Sequence, residues 1–225
     1  MSLPAPVKAA VVRISTTSGS INVVAEAGLT TMWSSIAPLV TEGSSTTIDG
    51  GSSKVKVRVP EGTDLVVGAT SGRVTIEGRV GSVSAMTTSG RVSIADAGSV
   101  DVRTTSGRID VGRTMSACRA VASSGRVEVG RCGEADVTAR SGRIVLKDVH
   151  GTARAHCVSG RVDISMGAAC DVDAETVSGR IVVSLPPSVR PQIVSSSGDI
   201  VDSAETYDCV VVARSGSGRV VVANR

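Results

Sequence analysis

The tetrapeptide Ser-Gly-Arg-Val/Ile occurs eight times in this chain of 225 residues, with glycines at Gly72, Gly90, Gly107, Gly125, Gly142, Gly160, Gly179 and Gly218. Two variants, Ser18-Gly19-Ser20-Ile21 and Ser197-Gly198-Asp199-Ile200, keep Ser-Gly and lose the arginine. From Gly72 onward, counting Gly198, the glycines are spaced by 18, 17, 18, 17, 18, 19, 19 and 20 residues. So short a period cannot enclose a core of its own, and stability requires that successive periods stack. The gap of 53 residues between Gly19 and Gly72 is close to three periods, and is expected to hold two degenerate turns or a loop.

Each period contains two stretches that alternate apolar and polar residues. The second and fourth residues after the glycine are apolar, as in Val74/Ile76, Val92/Ile94, Ile109/Val111, Val127/Val129, Ile144/Leu146 and Val162/Ile164, while the third is mixed. Seven and five residues before the glycine lies a second alternating pair, such as Val83/Ala85, Val100/Val102, Cys118/Ala120 and, late in the chain, Pro191/Ile193. A weaker apolar column runs through Val80, Ala97, Met115, Cys132, Val149 and Met166 in the connecting corner. Period-two alternation marks strands with one face inward.

The predicted fold is therefore all-β: a parallel β-solenoid with one coil per 17–20 residues and right-handed winding as the default of parallel crossovers. Coils about 4.8 Å apart make a rod on the order of 50 Å long. Composition agrees, since 39 Val against six Leu and no Phe suits a narrow tube with no room for large rings. Glycine at the corner supplies a positive φ without a Cβ clash, and the column of serines beside it is placed to form a hydroxyl ladder. All of 1–225 is expected to be one solenoid domain, with irregular N-terminal coils and a cap over 1–60, regular repeats over 61–184, and looser coils over 185–225. Gly28 to Gly51, which holds the single Trp33, reads as an irregular excursion or cap, and Lys54–Pro60 as a strand. Asp202 breaks an inward column.

No apolar run is long enough to span a bilayer, and the first residues carry no secretory pattern, so a cytoplasmic setting is expected. Five cysteines without a Cys-x-x-Cys pair argue against a disulfide framework, and most fall on inward columns as small hydrophobes. His150, His156, Cys132 and Cys157 lack metal-ligand spacing, so no metal or other cofactor is expected.

The run Val57-Arg58-Val59-Pro60-Glu61-Gly62-Thr63-Asp64-Leu65, leading into Thr70-Ser71-Gly72-Arg73-Val74, resembles a bacterial adhesin-like family. That family is a β-repeat domain of unknown function whose repeats usually read Ser-Gly-Asp-Val/Ile. The likeness covers roughly residues 10–223 and implies the solenoid fold and an adhesin-like structural or interaction role. Arginine replaces the family's aspartate in eight motifs here, and only Asp199 keeps it.

That replacement creates the most distinctive surface feature, a predicted column of Arg73, Arg91, Arg108, Arg126, Arg143, Arg161, Arg180 and, after the Asp199 interruption, Arg219. Asp110, Glu128 and Asp163, two residues on, are placed to partner Arg108, Arg126 and Arg161. Such a stripe reads as a salt-paired solvated face, or as a binding surface for a polyanion such as an anionic cell-wall polymer, nucleic acid or lipid headgroups. On the other strand Asp101, Arg119, Asp136, Arg154 and Asp173 alternate in sign coil by coil, which opposes register slips.

Enzymatic readings find no support in motifs. There is no Walker loop, nucleophile elbow, calcium nonapeptide, hexapeptide repeat or paired catalytic acid, and Trp33 and Tyr207 alone cannot line a carbohydrate cleft. Thr87-Thr88 and Thr104-Thr105 are not sustained as an ice-binding face. The expectation is a non-enzymatic interaction module, with polyanion binding and self-assembly through the coil ends as competing roles.

Overall fold

A computed structural model describes residues 11–35, 40–42, 45–195 and 208–224. The Ser197–Ile200 variant, Asp202 and Tyr207 lie outside the described residues. The strands are β1 (Val11–Thr16), β2 (Ile21–Glu26), β3 (Trp33–Ser34), β4 (Val40–Glu42), β5 (Ser45–Asp49), β6 (Val55–Pro60), β7 (Leu65–Thr114), β8 (Ala117–Cys132), β9 (Glu134–Val149), β10 (Ala153–Met166), β11 (Val172–Leu185), β12 (Pro191–Ser195) and β13 (Cys209–Asn224). They join in one 13-stranded, mostly parallel sheet that winds as a β-solenoid. β7 alone runs for 50 residues through several coils without a break.

Register is set by the repeat. Ser106, Gly107 and Arg108 face Ser124, Gly125 and Arg126, which in turn face Ser141, Gly142 and Arg143, and the match continues through β10, β11 and β13. The inward columns predicted from the alternation are buried, with Ile109, Val127, Ile144, Val162 and Ile181 at 0% exposure. Each such side chain contributes roughly 1.5–3 kcal/mol.

A further inward column, three residues before the glycine, escaped the sequence reading. Ala69, Thr87, Thr104, Ala122, Ala139, Cys157, Thr176 and Ser215 are all buried there. Thr87 and Thr104 thus point into the tube, and only Thr88 and Thr105 face outward. The connecting-corner column needs one correction: Met115 is 56% exposed, and Thr114 is buried in its place, because Arg113 pairs with Arg131 and so brings Thr114 level with Cys132.

The corner glycines touch. Gly90, Gly107, Gly125, Gly142 and Gly160 have φ between 131° and 156°. A Cβ on any of them would lie 1.8–2.0 Å from the carbonyl oxygen of the glycine one coil away. The serines beside them stack in register, but among the described residues only Ser18 donates along the column, to Ser52 at 3.3 Å. Among the described residues the predicted hydroxyl ladder is otherwise unmade, and the serines beside the stacked glycines are exposed.

Coil order departs from chain order at both ends. β1 pairs with β5 on one side and β7 on the other, with Val12 between Thr46 and Leu65, and β2 lies likewise between β6 and β7. The coil at 45–60 is therefore outside the coil at 11–26, and Gly72 stacks directly on Gly19. The long gap holds an outer coil and a cap rather than two turns between Gly19 and Gly72. β3 and β4 run antiparallel to β6 and β5 and cover that end, with Arg58 stacked 5.9 Å from the Trp33 ring centroid. At the other end β13 lies between β11 and β12, so Gly218 stacks on Gly179. Ile193 faces Val211 there, two positions from the alignment that the glycine spacing predicts.

Four of the five cysteines are buried, and Cys170 is half-buried, its thiol donating to the His150 carbonyl at 3.1 Å. Burial pushes the Cys118 thiol up to about 12 and that of Cys132 to about 11, from an ordinary 9.0. Raised folded values mean that these thiols favour the fold fully below pH 9, and that this contribution drains away as pH rises from 9 towards 12. Native protein at neutral pH is expected to leave Cys118 and Cys132 unlabelled by iodoacetamide, with both labelled in urea. Mass spectrometry of the native digest checks this, and rapid native labelling of Cys118 contradicts it.

Candidate functional site

The corner next to the glycines carries the arginines, and stacking turns them into a continuous ladder. Arg108, Arg126, Arg143, Arg161, Arg180 and Arg219 are successive register partners. Arg73 and Arg91 precede them on coils whose glycines stack in the same line. Because 209–224 docks directly on 172–185, no interruption separates Arg180 from Arg219, contrary to the sequence reading. The ladder also extends past Arg73. Ile21 lies between Val55 and Val74, which places Ser20 and then Lys54 at the arginine position of the two outermost coils.

Like charges at strand spacing repel, and carboxylates from the adjoining outward column offset this over the middle of the ladder. Arg126 pairs with Glu128 at 3.2 Å, and Arg161 with Asp163 at 2.6 Å. Asp163 also reaches Arg143 at 3.5 Å. The predicted Arg108–Asp110 pair is not formed. Asp110 instead lies 4.0 Å from Arg91, one coil away, its carboxylate leaning across the strands where Glu128 and Asp163 also reach an arginine of their own strand. A hydrogen bond from Lys147 holds the Glu128 carboxyl below its ordinary value, with Arg126 and Arg108 adding to the effect.

The first coils differ. Read from the outermost coil, the column beside the ladder contains Lys56, Asn22, Thr75 and Ser93, and the first acid in it is Asp110. Lys54, Ser20, Asn22, Thr75, Arg73, Arg91 and Arg108 line an open groove of about 790 Å³ with no carboxylate in its wall. Among the described residues neither Lys54 nor Arg73 makes an ion pair.

Other faces are balanced. Asp101, Arg119, Asp136, Arg154 and Asp173 stack in register with alternating signs, as the sequence predicts. Arg119 and Asp136 approach to 3.8 Å, while Asp101 turns to Arg103 on its own strand at 3.1 Å. A second charged column was overlooked in the sequence, although its constant offset from the glycine made it findable. Arg113 and Arg131 stack between Asp96 and Asp148, and each pairs with the outer acid. Burial opposes the charged form of Asp148, but hydrogen bonds from Arg131 and His150 outweigh it and hold the carboxyl below its ordinary value. His156 lies 3.3 Å from Glu175, not beside Cys132.

The model of the Toastrack DUF4097 family, a domain of unknown function, matches residues 40–222, most of the chain. The chain belongs to that family. No curated protein and no solved structure gives a match. The Toastrack match begins after the coil at 11–26, yet that coil is packed between two coils that lie inside it. Among the described residues of this Toastrack protein, no helix is long and apolar enough to cross a membrane.

Proposed function

We propose that this protein is a non-enzymatic, adhesin-like interaction module that binds a polyanion at the first coils of its arginine ladder. One observation carries the reading. Four cations, Lys54, Arg73, Arg91 and Arg108, line a groove whose wall has no acid; Lys54 and Arg73 make no ion pair among the described residues and Arg91 meets only Asp110, at 4.0 Å, while the middle of the same ladder is neutralised by Glu128 and Asp163. Arginine's forked donors suit phosphate, sulfate and carboxylate groups, and a row of them at strand spacing suits a chain of such groups. Self-assembly through the coil ends is the weaker alternative, because β3 and β4 cover the N-terminal end with antiparallel strands.

Retention on immobilised heparin tests this. The protein is expected to bind at low salt, with the logarithm of its affinity falling against log salt with a slope of about −3 for four cations. The triple variant Arg73→Glu, Arg91→Glu and Arg108→Glu loses retention. A charge-matched control, Arg13→Glu, Arg140→Glu and Arg214→Glu, keeps most of it. Equal loss in both variants, or no retention of the native protein, sinks the proposal.

A further inference from the structure

The ladder has one gap at its cationic end. Lys54 and Arg73 occupy equivalent positions two coils apart, a backbone separation of roughly 9.6 Å, and the position between them is Ser20. A serine where neighbouring coils carry a lysine and an arginine leaves a notch in the groove floor, with a cation on either side and a hydroxyl at its base. Immediately beside the notch, Asn22 and Thr75 are register partners in the adjoining column. Asn22 lines the groove, and its carboxamide Oδ1 is turned inward, buried and without a hydrogen-bond partner among the described residues. An unpaired buried acceptor is costly, and rotation of the carboxamide offers either its oxygen or its NH2 to a ligand.

We infer that the Ser20 notch is a discrete subsite for a phosphate ester on a hydroxyl-bearing carbon chain, such as a sugar or polyol phosphate. This rests on the reading of the first coils as an anion-binding groove. A tetrahedral anion seated at Ser20 receives hydrogen bonds from the hydroxyl and from the cations on either side, which together satisfy several of its oxygens. The neighbouring hydroxyls of the ligand meet Asn22 and Thr75. The groove wall contains no aromatic ring, so a nucleobase finds nothing to stack on, whereas single-stranded nucleic acid sites are built on such platforms. The coil that supplies Ser20 and Asn22 precedes the residues matched by the family model and is packed between two coils that lie inside the match.

The informative variant is Ser20→Arg. It adds a positive charge and completes the ladder with the residue that eight other coils carry at this position, so the fold accommodates it. If the groove acts only through its charge, Ser20→Arg strengthens anion binding. If the notch is the site, it fills it.

Titration of the full chain with glycerol 3-phosphate and with inorganic phosphate, followed by NMR chemical shifts, reads the difference. Glycerol 3-phosphate is expected to bind about tenfold more tightly than inorganic phosphate, the worth of one well-placed hydrogen bond to the polyol. Ser20→Arg abolishes that binding and leaves heparin retention equal or raised. Asn22→Ala brings glycerol 3-phosphate down to the level of inorganic phosphate and leaves the latter unchanged. Unchanged or tighter glycerol 3-phosphate binding by Ser20→Arg overturns the subsite, as does equal binding of the two anions by the native protein. Tighter binding of a single-stranded oligodeoxynucleotide than of heparin assigns the groove to nucleic acid and overturns the polyol class. Failure of the native protein to bind heparin at all removes the groove reading itself, so the two failures are separable.

Discussion

Gly125→Ala is expected to destabilise the protein by about 4 kcal/mol, a large fraction of the stability of an ordinary domain. Two costs combine. The glycine has φ of 131°, a region that residues with a Cβ occupy only at about 1–3 kcal/mol. The new methyl carbon would also lie 1.8 Å from the Gly107 carbonyl oxygen, which is backbone and cannot step aside without opening the stack, adding about 1–3 kcal/mol. Gly62→Ala is the control. Its φ is 76° and no atom lies within 4 Å of the added carbon, so only the backbone term applies, about 1 kcal/mol. Urea melts of the two variants check this by their difference in midpoint at constant slope. Equal losses would mean that the contact between stacked glycines carries no weight.

The second large effect is functional. Asp110→Asn, Glu128→Gln and Asp163→Asn together remove the acids that face the ladder, and raise the formal net charge from +3 to +6 because three negative charges are lost. Retention on heparin is expected to extend from the first coils to the middle of the ladder, and the salt needed for elution to rise markedly. Stability falls at the same time. Glu128 and Asp163 each make close ion pairs at a partly solvated surface, worth about 1 kcal/mol apiece after screening, and their loss leaves Arg126, Arg143 and Arg161 stacked without relief. Added salt is expected to restore part of the lost stability, since screening shortens the reach of the repulsion. Unaltered elution in the triple variant would show that these carboxylates do not limit anion binding.

Much of this architecture is legible in the chain itself. A serine and a glycine recurring at near-constant spacing, followed by a β-branched residue two places on, imply a corner and a strand, and equal spacing implies that like residues come into register. Arg126 between Arg108 and Arg143, and Arg119 beside Asp136, follow from counting alone. Counting fails where local chemistry is shared by alternatives. The column of Ala69, Thr87, Thr104 and Cys157 mixes polar and small residues, so alternation does not flag it, though burial in a narrow tube requires small residues there. Asp110 chose Arg91 over Arg108 through side-chain lean, which spacing does not encode.

Repeat length and residue pattern determined the solenoid, the glycine corner and the existence of an arginine ladder, because each depends on interactions repeated at one offset along the chain. The order of the coils at the two ends was decided only in three dimensions. Any coil with the right alternation can pair with any other, so the sequence leaves open which face of the coil at 11–26 receives 45–60 and which receives 65–80. The cap strands and the connections between coils resolve that choice. With it they place Ser20 between Lys54 and Arg73, and Arg219 against Arg180.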